Sequence, residues 1–539
     1  MRFALIFPPQ WDPRQPPLTL PALGAALASL RQECKAWDLN LDLYDTLLRG
    51  FEPGSIQDHV LAKYLDSAIL GNYAEYGKIS ALIQRHLDET YDPSGRHSLF
   101  WDSWTTPFSP NKSLDWRKAV EGQAAFPFLS LIRKMIDEIA NWQPEVICIS
   151  AVSDTQLLPA LALAGHFRRK SAHAKIHLGG DAFAYRRSIL NKVPWLFETV
   201  DGICIADGEP TLQGIVAGLP PQSIPNMVWS DGTSVRFPEK IATHVFPTDV
   251  LPNFALQPTE RYLSPKIVIP IETARGCPWG RCAFCIHPLA TFNDKIHYNP
   301  KPLDAVVAEL RHHIGNGYRL FFFVDEAMPP ERLEELSSRI LQLGEKISWI
   351  CYSRLDRNHS RRVFSLAREA GCRKIFFGLE TGSERILKTF RKGVTTAHAK
   401  QVLVDASNSD LGIHLFLMCG FPGENSEDRK ATLDFLESIL SERNAFSFTY
   451  DLFPLWCELD TELFLQPSEF GAQGIKIRED HDLAYQFKLL GGTINDSRHS
   501  QYLDEIDSLA AKCCKTKEGL RELHLSQDSS HLLLIEARS

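Results

Sequence analysis

Arg275-Gly-Cys-Pro-Trp-Gly-Arg-Cys-Ala-Phe-Cys-Ile-His287 gathers three of the twelve cysteines of a 539-residue chain into nine positions. The others, Cys34, Cys148, Cys204, Cys351, Cys372, Cys419, Cys457, Cys513 and Cys514, are scattered, several of them in apolar runs where a free thiol packs as a small hydrophobe. That distribution is no disulfide framework. Clustered thiols in a reducing compartment read as metal or redox chemistry. Three thiolates directly after a strand can converge on one metal centre and leave a coordination position open, whereas four would close it. His287, two residues past Cys285, is the candidate fourth ligand of the alternative, a closed zinc site of three cysteines and one histidine.

The segment leading into the cysteines, Val268–Thr273, reads as a strand. Five more follow at Leu320–Val324, Ser348–Tyr352, Lys374–Leu379, His414–Cys419 and Phe446–Leu452. Helical patterns at Leu303–His313, Pro330–Leu343, Ser360–Ala370 and Thr396–Ser407 separate most of them. Six βα units predict an open (β/α)6 partial barrel, whose chemistry belongs at the carboxyl ends of its strands. Each strand ends on something polar or conformationally special: Arg275-Gly-Cys277, Asp325-Glu326, Arg354, Glu380, Gly420-Phe-Pro-Gly-Glu424 and Pro454.

Residues 1–232 alternate in the same way. Phe3–Phe7, Leu39–Tyr44, Val146–Ser150, Ile176–Gly180 and Gly202–Ala206 read as strands, and their continuous apolar runs suit parallel strands buried on both faces. Leu20–Leu30 reads as a closely packed helix, with others near 56–70, 75–90 and 122–142. The chain is therefore expected to be α/β, with an N-terminal doubly wound Rossmann-like sheet over 1–232 and an insertion near 50–120. A proline-rich linker over 233–262, the partial barrel over 263–460 and a small C-terminal region over 461–539 follow. The last is expected to end in a hairpin of Leu523–Leu525 and His531–Ile535. The aromatic residues of the insertion, among them Tyr76, Tyr91, Trp101 and Phe108, are expected to pack on the sheet rather than cap a site.

Apolar residues make up 44% and charged residues 23%, an ordinary globular mix. A net charge of -8 provides no basic field for nucleic acid. No apolar run is long enough to span a membrane. The opening Met1-Arg-Phe-Ala-Leu-Ile-Phe-Pro-Pro9 lacks the pattern of a secretory signal, so the expected location is cytoplasmic.

The cysteine loop resembles that of radical S-adenosylmethionine (SAM) enzymes. Their usual spacing has three residues between the first two cysteines. Here Pro278-Trp-Gly-Arg281 puts four there, a longer gap with Trp-Gly that occurs in peptide-maturation subgroups. The resemblance implies a [4Fe–4S] cluster on Cys277, Cys282 and Cys285, with SAM chelating the fourth iron and being cleaved reductively to a 5′-deoxyadenosyl radical inside a water-excluding barrel. It implies that Phe284 lies near the adenine. Gly378-Leu-Glu-Thr-Gly382 would be the fourth-strand motif, with Glu380 on SAM. Asp325 or Glu326 would face the cavity, and Arg354 would pair with the SAM carboxylate or a substrate acid. Gly420 and Pro422 would bring backbone close to the adenine. Each has an ordinary alternative: core packing for Phe284, a helix N-terminal charge for Glu380, surface ion pairs for Asp325 and Arg354. Phe453-Pro-Leu-Trp-Cys457 departs from the family by lacking Pro-Gly-Thr.

The first region resembles the cobalamin-binding domain that precedes many radical SAM barrels. The matching pieces are Phe7-Pro-Pro9, Pro16-Pro-Leu-Thr-Leu-Pro-Ala-Leu-Gly24, Ser150-Ala-Val-Ser153, Gly179-Gly-Asp181 and Asp207-Gly-Glu-Pro-Thr211. The contacts so implied are Ser150, Gly179, Gly180, Gly208 and Glu209. No Asp-x-His-x-x-Gly occurs, so no histidine is evident to ligate cobalt from below. The two resemblances together imply a cobalamin-dependent methyltransferase acting on an unactivated carbon of a natural product or peptide. One alternative is radical cyclisation, rearrangement or oxidation without methyl transfer; another is a non-catalytic cobalamin or iron–sulfur sensor. The implied partners are a small-molecule or peptide substrate and an external electron donor such as flavodoxin or ferredoxin, with no nucleic acid and no membrane.

Overall fold

The computed structural model describes residues 1–48, 56–66, 73–101, 103–287, 298–440, 448–490, 496–513 and 532. Two parallel sheets organise them. The first contains β1 (Arg2–Phe7), β2 (Glu33–Asp38), β3 (Val146–Ser150), β4 (Lys175–Gly179) and β5 (Gly202–Cys204), all parallel. Two antiparallel strands, β6 (Met227–Ser230) and β7 (Val235–Arg236), extend one edge. The order is β2-β1-β3-β4-β5-β6-β7. It reverses direction between β1 and β3, the switch point at which a doubly wound sheet opens a crevice at its carboxyl ends.

Leu39–Tyr44, expected as a strand, is instead the start of the helix Leu39–Leu48, and the strand lies one segment earlier. Leu39, Leu41, Leu43, Tyr44, Leu47 and Leu48 are all buried, as are Asn40 and Asp42. An alternating pattern does not report a strand when an element is covered on every side. Asp38 ends β2 and starts the helix by accepting from the Leu41 amide at 2.8 Å. The single helix expected over 122–142 is also divided. Ser113–Glu121 stops at Gly122 with φ +76°, and Pro127–Leu131 and Arg133–Asn141 follow.

The insertion packs as expected. Tyr44 stacks on Trp101 at 6.1 Å, Trp101 on Tyr64 at 5.9 Å, and Tyr64 on Tyr76 at 5.2 Å. All four rings are buried.

The second sheet has six parallel strands in chain order: β8 (Val268–Ile271), β9 (Leu320–Met328), β10 (Ser348–Ser353), β11 (Cys372–Glu380), β12 (Gly412–Cys419) and β13 (Phe448–Pro454). Helices Leu303–Gly315, Pro330–Gln342, Arg361–Glu369, Thr396–Ser407 and Ser426–Leu440 join them in turn. Ser360 and Thr395 cap two of these, accepting from the amides of Val363 and His398. Among the described residues β8 and β13 do not pair, which is the topology of an open (β/α)6 partial barrel. Alternate residues divide between two layers. Phe321, Phe323, Cys351 and Phe377 pack under the helices, while Phe322, Ile350 and Phe376 belong to the core on the opposite face.

Beyond the barrel, Cys457–Glu458, Gly474–Lys476 and Gln486–Leu490 form a small antiparallel sheet. The expected terminal hairpin, apart from residue 532, and residues 446–447 of the sixth strand lie outside the described residues. Among the described residues no helix is long and apolar enough to cross a membrane.

Candidate functional site

The cysteine loop begins where β8 leaves its sheet. Asp325, at the carboxyl end of β9, accepts from the Thr273 amide at 2.5 Å, from the Ala274 amide at 3.0 Å and from the Thr273 hydroxyl. Burial raises its carboxyl and these bonds oppose the rise. Asp325 is thus engaged with the root of the loop, while its neighbour Glu326 is solvent-accessible yet crowded by the surrounding protein. Further on, the Ala283 amide donates to the Phe390 carbonyl at 3.1 Å, and the Ala283 carbonyl accepts from Leu463 at 2.9 Å. Trp279 Nε1 donates to the Arg391 carbonyl at 2.9 Å. Its ring lies over Gly393, where a Cβ would fall 2.2 Å from Trp279 Cζ2. The longer gap between Cys277 and Cys282 therefore provides a side chain that docks on the turn at 390–393.

Cys277, Cys282 and Cys285 are free, half-buried thiols. Burial pushes the Cys285 thiol up, and Cys282 and Cys277 nearby push it further. Among the described residues no three His, Cys, Asp or Glu side chains form a group able to hold a single metal ion. An iron–sulfur cube asks only that its thiolates ring one larger space. The donor chemistry, three thiols on one pinned loop within each other's field, fits such a cluster.

Cationic and acidic groups close around Cys282. Arg354, leaving β10, is 5% exposed. Its Nη1 stands 3.9 Å from Cys282 Sγ, and its Nη2 donates to the Lys392 carbonyl at 2.6 Å. Lys392 Nζ in turn donates to Glu380 Oε1 at 2.7 Å, and both side chains are buried. Burial works against the Lys392 charge, but Glu380 and then Cys282 hold its pKa up. Gly378 makes room for that pair, since a Cβ there would sit 2.6 Å from Glu380 Oε1 and 2.9 Å from Lys392 Nζ. Glu380 itself takes φ +66°, an uncommon conformation for a residue with a side chain.

Phe284 packs with Phe390 at 6.4 Å and Phe421 at 6.3 Å, so its ring joins an aromatic group beside the turn after β12. In that turn Gly420 takes φ +85° and its amide donates to Glu424 Oε2 at 2.7 Å. Pro422 lacks an amide hydrogen, and burial pushes Glu424 up to about 7. Lys392 and Gly393 were not singled out from the sequence, and Trp279 was noted there only as part of the longer cysteine gap. The only local signal was a basic pair before a glycine, Phe390-Arg-Lys-Gly393.

Ser150, Gly179, Gly180, Gly208 and Glu209 lie at the carboxyl ends of β3, β4 and β5. Gly180 (φ +96°) permits a close backbone approach, because a Cβ would meet the Ala151 carbonyl oxygen at 2.2 Å. At Gly208 a Cβ would lie 3.0 Å from Leu23 Cδ2. Glu209 reaches the other sheet. Its Oε1 and Oε2 accept from Arg275 at 2.8 and 3.0 Å, and Arg275 also pairs with Asp207 at 3.0 Å and Glu272 at 2.9 Å. Burial alone would raise Glu209; Arg275 overrides it and holds the carboxyl down at about 2.

Arg275 precedes Cys277 by two residues, so the carboxyl edges of the two sheets are tied across one space. Around that space burial raises the Tyr185 hydroxyl, and Asp181, Glu458, Tyr485 and Glu326 raise it further. Glu326 is pushed up to about 7 by desolvation, with Glu272, Asp325 and Asp181 adding to the shift. These groups come from the first sheet, the barrel and the C-terminal sheet, and they lie within one another's electrostatic reach.

Residues 271–436 match the family model of the radical SAM superfamily. The uncharacterized methyltransferase PH0819 of Pyrococcus horikoshii is 25% identical over 335 residues, 60% of this chain and 70% of that protein. The structure of the radical SAM methyltransferase TsrM from Kitasatospora setae, with cobalamin and a [4Fe–4S] cluster bound, superposes with a TM-score of 0.63 at 14% identity. That match covers 100% of this chain and 99% of TsrM. The cobalamin-dependent SAM radical enzyme OxsB, solved with aqua-cobalamin and SAM, gives a TM-score of 0.63 at 14% identity over 93% of this chain and 66% of OxsB. Residues 271–436 are therefore a radical SAM domain, a type that implies a [4Fe–4S] cluster and SAM, and the chain that carries it is similar in fold to TsrM.

Proposed function

We propose that this protein is a cobalamin-dependent radical SAM methyltransferase acting on an unactivated carbon of a small molecule or peptide. The supporting observation is the Arg275 bridge, which joins the root of the cysteine loop to Asp207 and Glu209 on the first sheet. A cofactor at the carboxyl edge of residues 1–232 and a cluster in the barrel of residues 263–460 would then share one cleft. Residues 233–262 serve as the linker, and Glu458 and Tyr485 of the C-terminal sheet add to the wall. When bound, the [4Fe–4S] cluster supplies the electron for reductive cleavage of SAM, and cobalamin supplies a transferable methyl group.

The remaining tasks fall to the protein. Cys277, Cys282 and Cys285 hold the cluster. Glu380, steadied by Lys392, offers an acceptor for SAM, and Arg354 a donor for its carboxylate. Phe284 and the Gly420–Pro422 turn form an apolar wall for the adenine. Ser150, Gly179, Gly180 and Gly208 present backbone groups to cobalamin. Tyr352, Phe376 and Phe416, within 5.6–6.2 Å of one another, fill the barrel core and exclude water from a reactive centre.

The test is anaerobic reconstitution with iron, sulfide and cobalamin quantified together, followed by incubation with dithionite and SAM labelled in its methyl group. The proposal expects all three cofactor components, 5′-deoxyadenosine and a labelled product. If 5′-deoxyadenosine forms and no label moves, the reaction is a cyclisation, rearrangement or oxidation. If neither 5′-deoxyadenosine nor a labelled product forms, the reading is a non-catalytic sensor.

A further inference from the structure

The chain that follows the cysteine loop folds back along the loop's root. The Lys301 amide donates to the Thr273 carbonyl at 2.8 Å, and Ala274 and Arg275 pair antiparallel with Pro300 and Asn299. Carried one step on, that register sets Tyr298 opposite Gly276, the residue before Cys277. Gly276 takes φ +82°, and the chain turns there into the loop. Arg332 fastens the two segments together. Its Nε donates to Thr273 Oγ1 at 2.8 Å, and its Nη2 donates to the Thr273 and Lys301 carbonyls. Tyr298 therefore stands beside the cluster ligands on a fixed base.

Its hydroxyl oxygen is buried and has no hydrogen-bond partner among the described residues. Buried polar groups are as a rule hydrogen-bonded. The charged groups acting on this hydroxyl are, in falling order, Arg332, Asp325, Cys277 and Glu326. A phenol has one hydrogen to give, and a guanidinium cannot accept it. Asp325 already accepts from the Thr273 amide, the Ala274 amide and the Thr273 hydroxyl. Glu326 is solvent-accessible, where water supplies its donors. The acceptor left is sulfur. We propose that Tyr298 donates its hydroxyl hydrogen to sulfur at the Cys277 corner of the iron–sulfur cluster and so sets how readily that cluster takes an electron. The inference rests on the cluster reading given above.

The chemistry gives the effect its sign. Reduction adds one electron, supplied by the external reductant, and leaves more negative charge on the sulfurs. A hydrogen bond to an acceptor strengthens as the acceptor's charge grows, so the bond favours the reduced form. Tyr298 keeps its proton throughout, since burial, the largest cause, raises its hydroxyl to about 12.

The test uses the full-length protein, reconstituted anaerobically and titrated with dithionite through redox mediators. The reduced cluster is followed by electron paramagnetic resonance, with and without SAM. Tyr298→Phe removes the hydroxyl and keeps the ring. It is expected to hold iron and sulfide as wild type does and to have a lower midpoint potential. At the wild-type midpoint its ratio of reduced to oxidised cluster should fall by about threefold to tenfold, and tenfold is about 59 mV for one electron. The cluster-free variant should unfold at the same or a higher urea concentration than cluster-free wild type, because the hydroxyl it lacks has no partner there. Tyr318→Phe, which removes a hydroxyl bonded to Thr259 of the linker at 2.8 Å, should leave the potential unchanged. An unchanged potential in Tyr298→Phe, or an equal shift in Tyr318→Phe, would overturn the assignment. So would a shift seen only with SAM bound, which would put the hydroxyl on SAM. Loss of iron together with loss of cluster-free stability would overturn it too, as a role in folding, whereas loss of iron with that stability intact would support the bond. If wild type itself takes up no iron and sulfide, the cluster reading falls, and the role of Tyr298 falls with it.

Discussion

Arg275→Met is expected to leave a buried carboxylate without its cation. Arg275 meets Asp207, Glu209 and Glu272 at 3.0, 2.8 and 2.9 Å. Glu209 is 5% exposed, and Arg275 holds its carboxyl at about 2 against an ordinary 4.5. At about 1.4 kcal/mol per unit, that difference corresponds to about 3 kcal/mol. It agrees with the cost of about 3–5 kcal/mol for removing one partner of a buried pair. Equilibrium urea unfolding of Arg275→Met at neutral pH should therefore show a loss of about 3 kcal/mol, and adding Glu209→Gln should recover part of it. The pH dependence has a definite sign. Because Glu209 is lowered in the folded state, its contribution is complete above its ordinary value and is lost as pH falls from about 4.5 toward about 2. Wild type should lose stability in that window more steeply than Glu209→Gln. The control is Lys430→Met, which breaks a pair with Asp434 whose side chains are 72% and 58% exposed and should cost less than about 0.5 kcal/mol. A loss for Arg275→Met no larger than the control's would refute the bridge as a structural tie between the sheets.

Three further outcomes are expected. Gly393→Ala places a Cβ 2.2–2.6 Å from the Trp279 ring at φ +75°, so it should cost about 1–3 kcal/mol and lower the iron retained after reconstitution; unchanged iron would separate Trp279 docking from cluster binding. Lys392→Met should destabilise the fold by about 3 kcal/mol by stranding Glu380 and should weaken SAM binding in calorimetry, with Glu380→Gln in the same chain restoring stability but not affinity. Glu424 is raised to about 7 in the folded state, so its contribution to stability is lost as pH rises from about 4.5 to about 7, and Glu424→Gln should lose less stability than wild type across that range in urea titrations.

Much of the site's outline was legible before any tertiary contact was known. Apolar runs ending at polar or glycine-containing turns marked the six barrel strands, because a parallel strand buried on both faces needs continuous apolar side chains. The misreading of Leu39–Tyr44 has the same origin. Once the insertion covers that helix, Asn40 and Asp42 are buried along with its leucines and the period carries no signal. Asp325 was found as a residue at a strand end but not as the anchor of Thr273 and Ala274, since a backbone amide from another strand leaves no mark in the sequence around a carboxylate.

Local chemistry alone determined the thiol trio, the order of strands and helices, and the placing of polar groups at strand ends, because covalent spacing and side-chain periodicity act over a few residues. The tertiary structure decided what those groups meet. Glu209 and Arg275 are 66 residues apart, and Trp279 and Arg391 are 112 apart. Lys392 reaches Glu380 only because Gly378 has no side chain in the way. Such partners are chosen by the packing of two sheets edge to edge, and no window along the chain contains both members of the distant pairs.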